Sequence, residues 1–228
     1  TLFPYTTLFR SVKLAAALAR AGWVATIGIE ATGPSTAFGY IRCGGAINAP
    51  GAPDGRRVLG FTEKPDADTA ARYLATGGYR WNAGMFVARA GVLLDHLAAQ
   101  RPRLAAGIEA IAAAWDGPAR EEVLAARWPG LEAVAIDHAI AEPVAAAGGV
   151  ATVPAAMGWD DVGGFDSLSA IVPARARGPA AGVAVLDDSA SGGPAADVEA
   201  ADSPGALVAS TTGRRTVLLN LTDRKSVV

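Results

Sequence analysis

The sequence predicts an α/β fold in which a mixed sheet is flanked by helices, followed by a smaller β-rich unit. Short β-like runs alternate with amphipathic or Ala-rich runs through most of the chain, as expected of layered α/β folds. With 228 residues, 51% hydrophobic and 18% charged, the chain can bury a core. After about residue 173 the composition shifts to Gly, Pro, Ser and Asp between short β-like pieces. We therefore expect one large domain and part of another.

The first part of the body is predicted to contain three strands between two helices. The first helix stops at Gly22, and the helix after Pro65 has an acidic first turn and ends at a glycine pair, which suits the helix dipole and C-cap. In chain order the elements are a helix "VKLAAALARAG", a strand "WVATIGIE", strands "FGYIRCGGAI" and "RVLGFTEKP", and a helix "PDADTAARYLATGG".

The second part of the body is mainly helical. Pro102 and the "DGP" turn break three helical segments, and Pro143 lies inside a further helix. The expected elements are a strand "GMFVAR", helices "AGVLLDHLAAQ", "PRLAAGIEAIAAAW" and "AREEVLAARW", a helix "AIDHAIAEPVAAAGG" and a strand "VATVPA".

The two ends of the chain differ from its body. Residues 1–12 begin with Thr1 and have no clear helical or strand periodicity, so we interpret them as a non-native leader, and residues 223–228 as a similar tail. Residues 13–173 are predicted to form the main domain. Residues 174–222 are predicted to form a linker and a truncated β-rich domain.

Charge and cysteine content exclude several classes of function. A formal net charge of −2 favours neither nucleic acid nor an anionic membrane surface, and no apolar run approaches the roughly 18 residues of a membrane span. Cys43 has no partner for a disulfide, and His96 and His138 are too few for a zinc-type cluster. We expect a cytoplasmic protein that acts on small molecules.

The stretch "GWDDVGGF" is the first candidate site. It places Asp160 and Asp161 among apolar neighbours and directly before two glycines, whereas a pair serving solubility would lie among polar residues. A turn that is merely solvated is the alternative.

Three further stretches are candidate parts of a binding site. Glu63 and Lys64 follow a strand, where a carboxylate can accept hydrogen bonds from sugar hydroxyls and a lysine can hold a phosphate. Asn82 can both donate to and accept from hydroxyls, and Gly84 allows a ligand to approach the backbone before the strand begins. Gly39 lies between two aromatics, where backbone could meet a ligand. The alternatives are an exposed charged pair, a core role for the neighbouring tryptophan, and a β-bulge.

Taken together, these stretches resemble a known family. The motifs "GIEATGPSTAFGYI", "GFTEKPDADTAARYL", "YRWNAGMFVARAGVLLDHL", "VAIDHAIAEP" and "GWDDVGGFDSL" occur in the order and at about the spacing seen in mannose-1-phosphate guanylyltransferases. The resemblance covers about residues 13–172. It implies a partial Rossmann-like nucleotidyltransferase fold and the transfer of GMP from GTP to mannose 1-phosphate, with release of pyrophosphate.

The resemblance also implies roles for individual residues. Glu63 and Asn82 would bind mannose hydroxyls, Lys64 the sugar phosphate, and Gly39 the sugar through its backbone. Asp161, directly before Val-Gly, would bind the catalytic Mg2+, whereas Asp160 occupies a more variable position. Asp161 and Lys64 are the predicted catalytic residues.

The sequence departs from the family pattern in its first part. The family's N-terminal Gly-rich phosphate loop, its guanine pocket and its first metal aspartate have no counterpart here, so we expect this chain to lack activity by itself. Ala37, Phe38 and Pro143 also differ from the usual residues. The alternatives are a nucleotidyltransferase for another hexose 1-phosphate and a non-catalytic module that binds sugar phosphate. Base specificity and oligomeric state are open, a homo-oligomer included.

Overall fold

A computed structural model describes residues 3–163, 167–168, 171–172, 174, 178, 180–219 and 221. The chain divides into two compact units, Thr1–Trp159 and Asp160–Val228. This division falls before residue 173, within the stretch "GWDDVGGF". The tail 223–228 lies outside the described residues.

The first unit contains a mixed sheet that closes on itself. Its strands are β1 (Val24–Glu30), β2 (Tyr40–Ala46), β3 (Arg56–Thr62), β4 (Tyr79–Val87) and β5 (Val150–Ala155). They follow the order β1-β4-β2-β3-β5 around a closed barrel. β1 and β5 are parallel, and the other neighbours are antiparallel. The expected mixed α/β architecture is confirmed.

Six helices accompany this sheet in the described part of the first unit. They are α1 (Phe3–Arg20), α2 (Ala67–Thr76), α3 (Ala90–Gln100), α4 (Pro102–Ala114), α5 (Arg120–Arg127) and α6 (Glu142–Ala146). A 3-10 turn, Trp128–Gly130, follows α5, and a π-helical turn, Asp137–Ala141, precedes α6. Asp66 caps α2 by accepting a hydrogen bond from the Thr69 N–H, and Gly77 ends the helix with a φ of 67°.

Two boundaries differ from the expected ones. Helix α1 begins at Phe3 rather than near residue 12, because Leu8, Ser11, Ala15 and Leu18 follow helical spacing and pack inward. Strand β4 begins at Tyr79, so Asn82 and Gly84 lie within the strand rather than before it. The prediction that Gly84 lies before the strand was therefore wrong. Its φ of 70° is nevertheless one that favours glycine.

The core of the first unit lies on both faces of the sheet. On one face, Val24, Ile41, Val58 and Phe61 pack against the segment 139–145. On the other, α1 covers Ala25, Ala151 and Val153, and a further group surrounds Tyr40. The segment of α6 and its preceding turn is thereby anchored beside the ends of β2 and β3.

The second unit is built from short parallel strand pairs. Its strands are β6 (Ala184–Asp187), β7 (Asp197–Ala201), β8 (Leu207–Ser210) and β9 (Arg215–Leu219). β6 pairs with β8, β7 pairs with β9, and a 3-10 turn, Asp188–Ser191, follows β6. Val183, Val198, Val208 and Leu218 form its core.

Candidate functional site

Asn82 lies at the centre of a group of polar residues in the first unit. It is 7% exposed and lies on β4 opposite Gly28 of β1. Its Oδ1 accepts a hydrogen bond from Thr26 Oγ1 at 2.8 Å, and its Nδ2 donates to Asp137 Oδ1 at 3.3 Å. A buried side-chain amide with both ends bonded is held in one orientation. We call Thr26, Gly39, Glu63, Lys64, Asn82, Asp137, His138 and Glu142 the polar cluster.

Gly39 brings the start of β2 against this amide and the carboxylate of Glu63. Its carbonyl oxygen accepts a hydrogen bond from the Asn82 N–H at 2.7 Å. A β-carbon added to Gly39 would lie 2.5 Å from Glu63 Oε2 and 3.4 Å from the Asn82 β-carbon. The close contacts of Gly39 are thus with Glu63 and Asn82. The approach of a ligand to the Gly39 backbone stays a prediction.

Glu63 and Lys64 differ sharply in exposure. The side chain of Glu63 is 17% exposed and that of Lys64 is 65% exposed, with Nζ 3.5 Å from Glu63 Oε1. Lys64 adopts a positive φ of 43°, a conformation that costs a non-glycine residue roughly 1–3 kcal/mol and recurs at ligand sites. The Glu63 side chain is therefore mostly buried, whereas Lys64 extends into solvent.

A π-helical turn supplies residues to which the sequence assigned no role. The Glu142 N–H bonds to the Asp137 oxygen across the wider π spacing, directly before Pro143, which has no N–H to continue an α-helical ladder. Glu142 Oε1 accepts a hydrogen bond from the Glu63 N–H at 3.3 Å, and Glu142 Oε2 lies 3.0 Å from His138 Nδ1. The motif "AIDHAIAEP" was visible in the sequence, but its contacts with Glu63 and Asn82 were not.

Two groups in the polar cluster have shifted pKa values. Burial, and then the nearby Asp137 carboxylate, raise the pKa of Glu63, while Lys64 and His138 oppose the shift. The hydrogen bond and charge of Glu142 raise the pKa of His138. The neutral form of the Glu63 carboxyl group is therefore more favoured than it would be in water.

Trp81, next to Asn82, belongs to the core. It is 7% exposed and packs edge-on against Phe38, with ring centroids 4.9 Å apart. Phe38 also contacts Trp159, at 5.5 Å. Trp81 is therefore a core residue, which was one of the two roles considered from the sequence.

Asp160 and Asp161 open the second unit, directly after Trp159. Both are exposed, and the Gly163 N–H donates to the Asp161 carbonyl oxygen. In the described part of the chain, no three His, Cys, Asp or Glu side chains gather to hold a metal ion. The role of Asp161 as a metal ligand stays a prediction.

The chain shares its sequence pattern with enzymes that transfer nucleotides. A sequence model described as nucleotidyl transferase matches residues 4–177. The chain belongs to the nucleotidyl transferase family. The xanthan biosynthesis protein XanB of Xanthomonas campestris pv. campestris (strain B100) is 38% identical over 162 residues, which are 69% of this chain and 32% of that protein.

Other relatives agree with this assignment. Mannose-1-phosphate guanylyltransferase ManC of Salmonella typhimurium is 38% identical over 165 residues, covering 69% of this chain and 32% of its own. A crystal structure described as mannose-1-phosphate geranyltransferase from Thermus thermophilus is 26% identical, with a TM-score of 0.71, and the match covers 94% of this chain and 55% of that one. The chain spans about a third of the length of the curated relatives it matches. Among the described residues, none of the helices is long and apolar enough to cross a membrane.

Proposed function

We propose that this chain provides the part of a mannose-1-phosphate guanylyltransferase that binds the sugar phosphate. The family reaction joins mannose 1-phosphate to the GMP group of GTP and releases pyrophosphate. The observation that carries the proposal is the polar cluster: Gly39, Glu63, Lys64 and Asn82, chosen from separate motifs, lie together. Relatives named for this activity support the proposal.

Each residue of the polar cluster has a task in this proposal. The Glu63 carboxylate and the Asn82 amide bind mannose hydroxyls, and the Gly39 backbone allows the sugar to approach. Lys64, which is exposed on the outer side of Glu63, pairs with the sugar phosphate as a point charge. The protein's contribution to the transfer is alignment and neutralisation of charge rather than covalent chemistry.

Asp161 is the proposed ligand of Mg2+. It presents an exposed carboxylate, which is the hard oxygen donor that Mg2+ takes, and this ion usually binds one or two carboxylates and keeps several waters. When bound, Mg2+ would neutralise charge on phosphate oxygens during transfer. Asp160 is left as a solvated neighbour.

The substrate proposal is tested by calorimetric titration of the 228-residue chain. We expect mannose 1-phosphate to bind more tightly than glucose 1-phosphate. Lys64→Gln should weaken binding of mannose 1-phosphate by about tenfold, the loss expected of a charge-assisted contact, but leave binding of free mannose unchanged. Equal or tighter binding of glucose 1-phosphate would instead favour a nucleotidyltransferase for another hexose 1-phosphate.

A separate assay of GDP-mannose formation tests whether this chain is active by itself. Because the sequence has no counterpart of the Gly-rich phosphate loop, we propose that the 228-residue chain forms no GDP-mannose from GTP and mannose 1-phosphate. Losing one preorganised donor of this kind typically costs about 100- to 1000-fold in rate. Product formation at the rate of a full-length relative such as ManC would contradict this.

A further inference from the structure

A second polar site lies in the first unit, on the side of the sheet where β4 begins. Arg56 of β3 and Arg80 of β4 line a cavity of about 280 Å³ together with Cys43, Pro154 and the glycine pair after α2. The polar cluster, which includes Asn82 further along β4, shares none of these residues. We call this cavity the arginine pocket.

The charges in the arginine pocket are unbalanced. No Asp or Glu lines it, and in the described part of the chain neither Arg56 nor Arg80 forms an ion pair. Glu30 lies opposite Arg80 in the β1–β4 register, yet no ion pair joins the two side chains. Two guanidinium groups therefore meet one cavity with no anion to neutralise them.

The neighbouring thiol does not neutralise these guanidinium groups. Burial raises the pKa of the Cys43 thiol, although the charges of Arg80 and Arg56 oppose this shift, so the thiol is not a counter-charge. The carbonyl oxygen of Gly78 already accepts the Cys43 N–H, and that of Leu74 accepts the Gly77 N–H. Neither of these carbonyl groups carries a charge that could neutralise the two arginines.

The sequence makes room for Arg80 at a single glycine. A β-carbon added to Gly28 would lie 3.2 Å from Arg80 Cδ and 2.7 Å from Thr152 Oγ1. Thr152 is fully buried, and its hydroxyl has no hydrogen-bond partner among the described residues. Thr152 does not line the arginine pocket, so this hydroxyl is not a contact for a ligand there.

We propose that the arginine pocket binds a phosphate group between Arg56 and Arg80. Planar guanidinium groups match phosphate oxygens in a two-pronged geometry, and charge-assisted hydrogen bonds of this kind are the strong ones. The cavity is near the lower end of the about 300–1,000 Å³ typical of small-molecule pockets, which suits a small anion. The ligand is free phosphate or pyrophosphate, because the phosphate of a sugar bound at the polar cluster is assigned to Lys64.

The test is calorimetric titration of the 228-residue chain with inorganic phosphate and with pyrophosphate at neutral pH and low salt. Arg56→Gln and Arg80→Gln should each weaken binding at least about tenfold, whereas Arg42→Gln should change it less than about twofold. Arg42 is the matched control, because it is exposed on β2 and does not line the cavity. Arg56 is exposed, so its variant reports on the site even if Arg80→Gln fails to fold.

Two outcomes would overturn the proposal. One is the absence of phosphate and pyrophosphate binding to the unmodified chain, and the other is equal weakening by all three arginine variants, which would indicate net charge alone. The phosphate titration does not require mannose 1-phosphate to bind, so failure of the proposed function is distinguishable.

Discussion

The polar cluster and the Asp160–Asp161 pair present carboxylates in opposite ways. In the cluster, the side chain of Glu63 is only 17% exposed, and the buried Asn82 amide bonds the Asp137 carboxylate and the Thr26 hydroxyl. Asp160 and Asp161 are exposed and adjacent in sequence. A substitution of Asn82 should therefore affect stability and binding together, whereas one of Asp161 should affect metal binding alone.

The largest effect is expected from Asn82→Ala. Removing the amide leaves the buried Thr26 hydroxyl and one Asp137 oxygen without their partner, which should lower the free energy of unfolding by about 1–3 kcal/mol. Binding of mannose 1-phosphate should be lost as well. Urea denaturation and calorimetry measure the two effects. The exposed Asn48→Ala is the control, and an equal loss in both variants would contradict a special role for Asn82.

Gly39→Ala should separate affinity from stability. Its added β-carbon would displace Glu63 Oε2, the end of a side chain that can rotate away, so stability should fall by less than about 1 kcal/mol. The displaced carboxylate should weaken mannose 1-phosphate binding by about tenfold or more, since catalytic and binding groups tolerate little misplacement. Gly45→Ala, also on β2, meets no atom within 4 Å and serves as the control. Unchanged affinity in Gly39→Ala would remove Glu63 from the sugar site.

A smaller effect, visible in its pH dependence, is expected from Glu63→Gln. Because burial and Asp137 raise the pKa of Glu63, its contribution to folding is fully present below its ordinary value of 4.5 and is lost as pH rises through the folded-state value. Glutamine stays neutral, so the variant should gain stability relative to the unmodified chain as pH rises from about 4.5 to neutral. The lost contact with the exposed Lys64 is worth little. Denaturation at several pH values measures this difference, and a difference that shrinks with pH would contradict it.

The smallest effect on stability is expected at the aspartate pair. Asp160→Asn and Asp161→Asn should each change the free energy of unfolding by less than about 0.5 kcal/mol, because both side chains are exposed. Water-proton relaxation with Mn2+, used in place of Mg2+, should detect metal binding that Asp161→Asn reduces and Asp160→Asn retains. The reverse ranking would assign the metal to Asp160, and two unaffected variants would leave the pair as a solvated turn.

Local signals in the sequence predicted the regular elements well. Gly22 and Gly77 ended their helices, and Asp66 began α2, because caps depend on residues a few positions apart. The start of β4 was placed too late, since the polar "YRWN" segment interrupts an apolar pattern even though it pairs with β1 and β2. Tertiary pairing decided that boundary.

The sequence by itself determined the alternation of helices and strands, the caps, and the motifs that contain Gly39, Glu63 and Asn82. Only the tertiary structure decided which polar groups meet, because Thr26 and Asn82 are 56 residues apart and Glu63 and Glu142 are 79 apart. Such contacts depend on strand register and on how the turn before α6 packs, neither of which a local pattern encodes. For the same reason the sequence did not reveal the arginine pocket, whose two arginines lie on β3 and β4 and come together because both strands pair with β2.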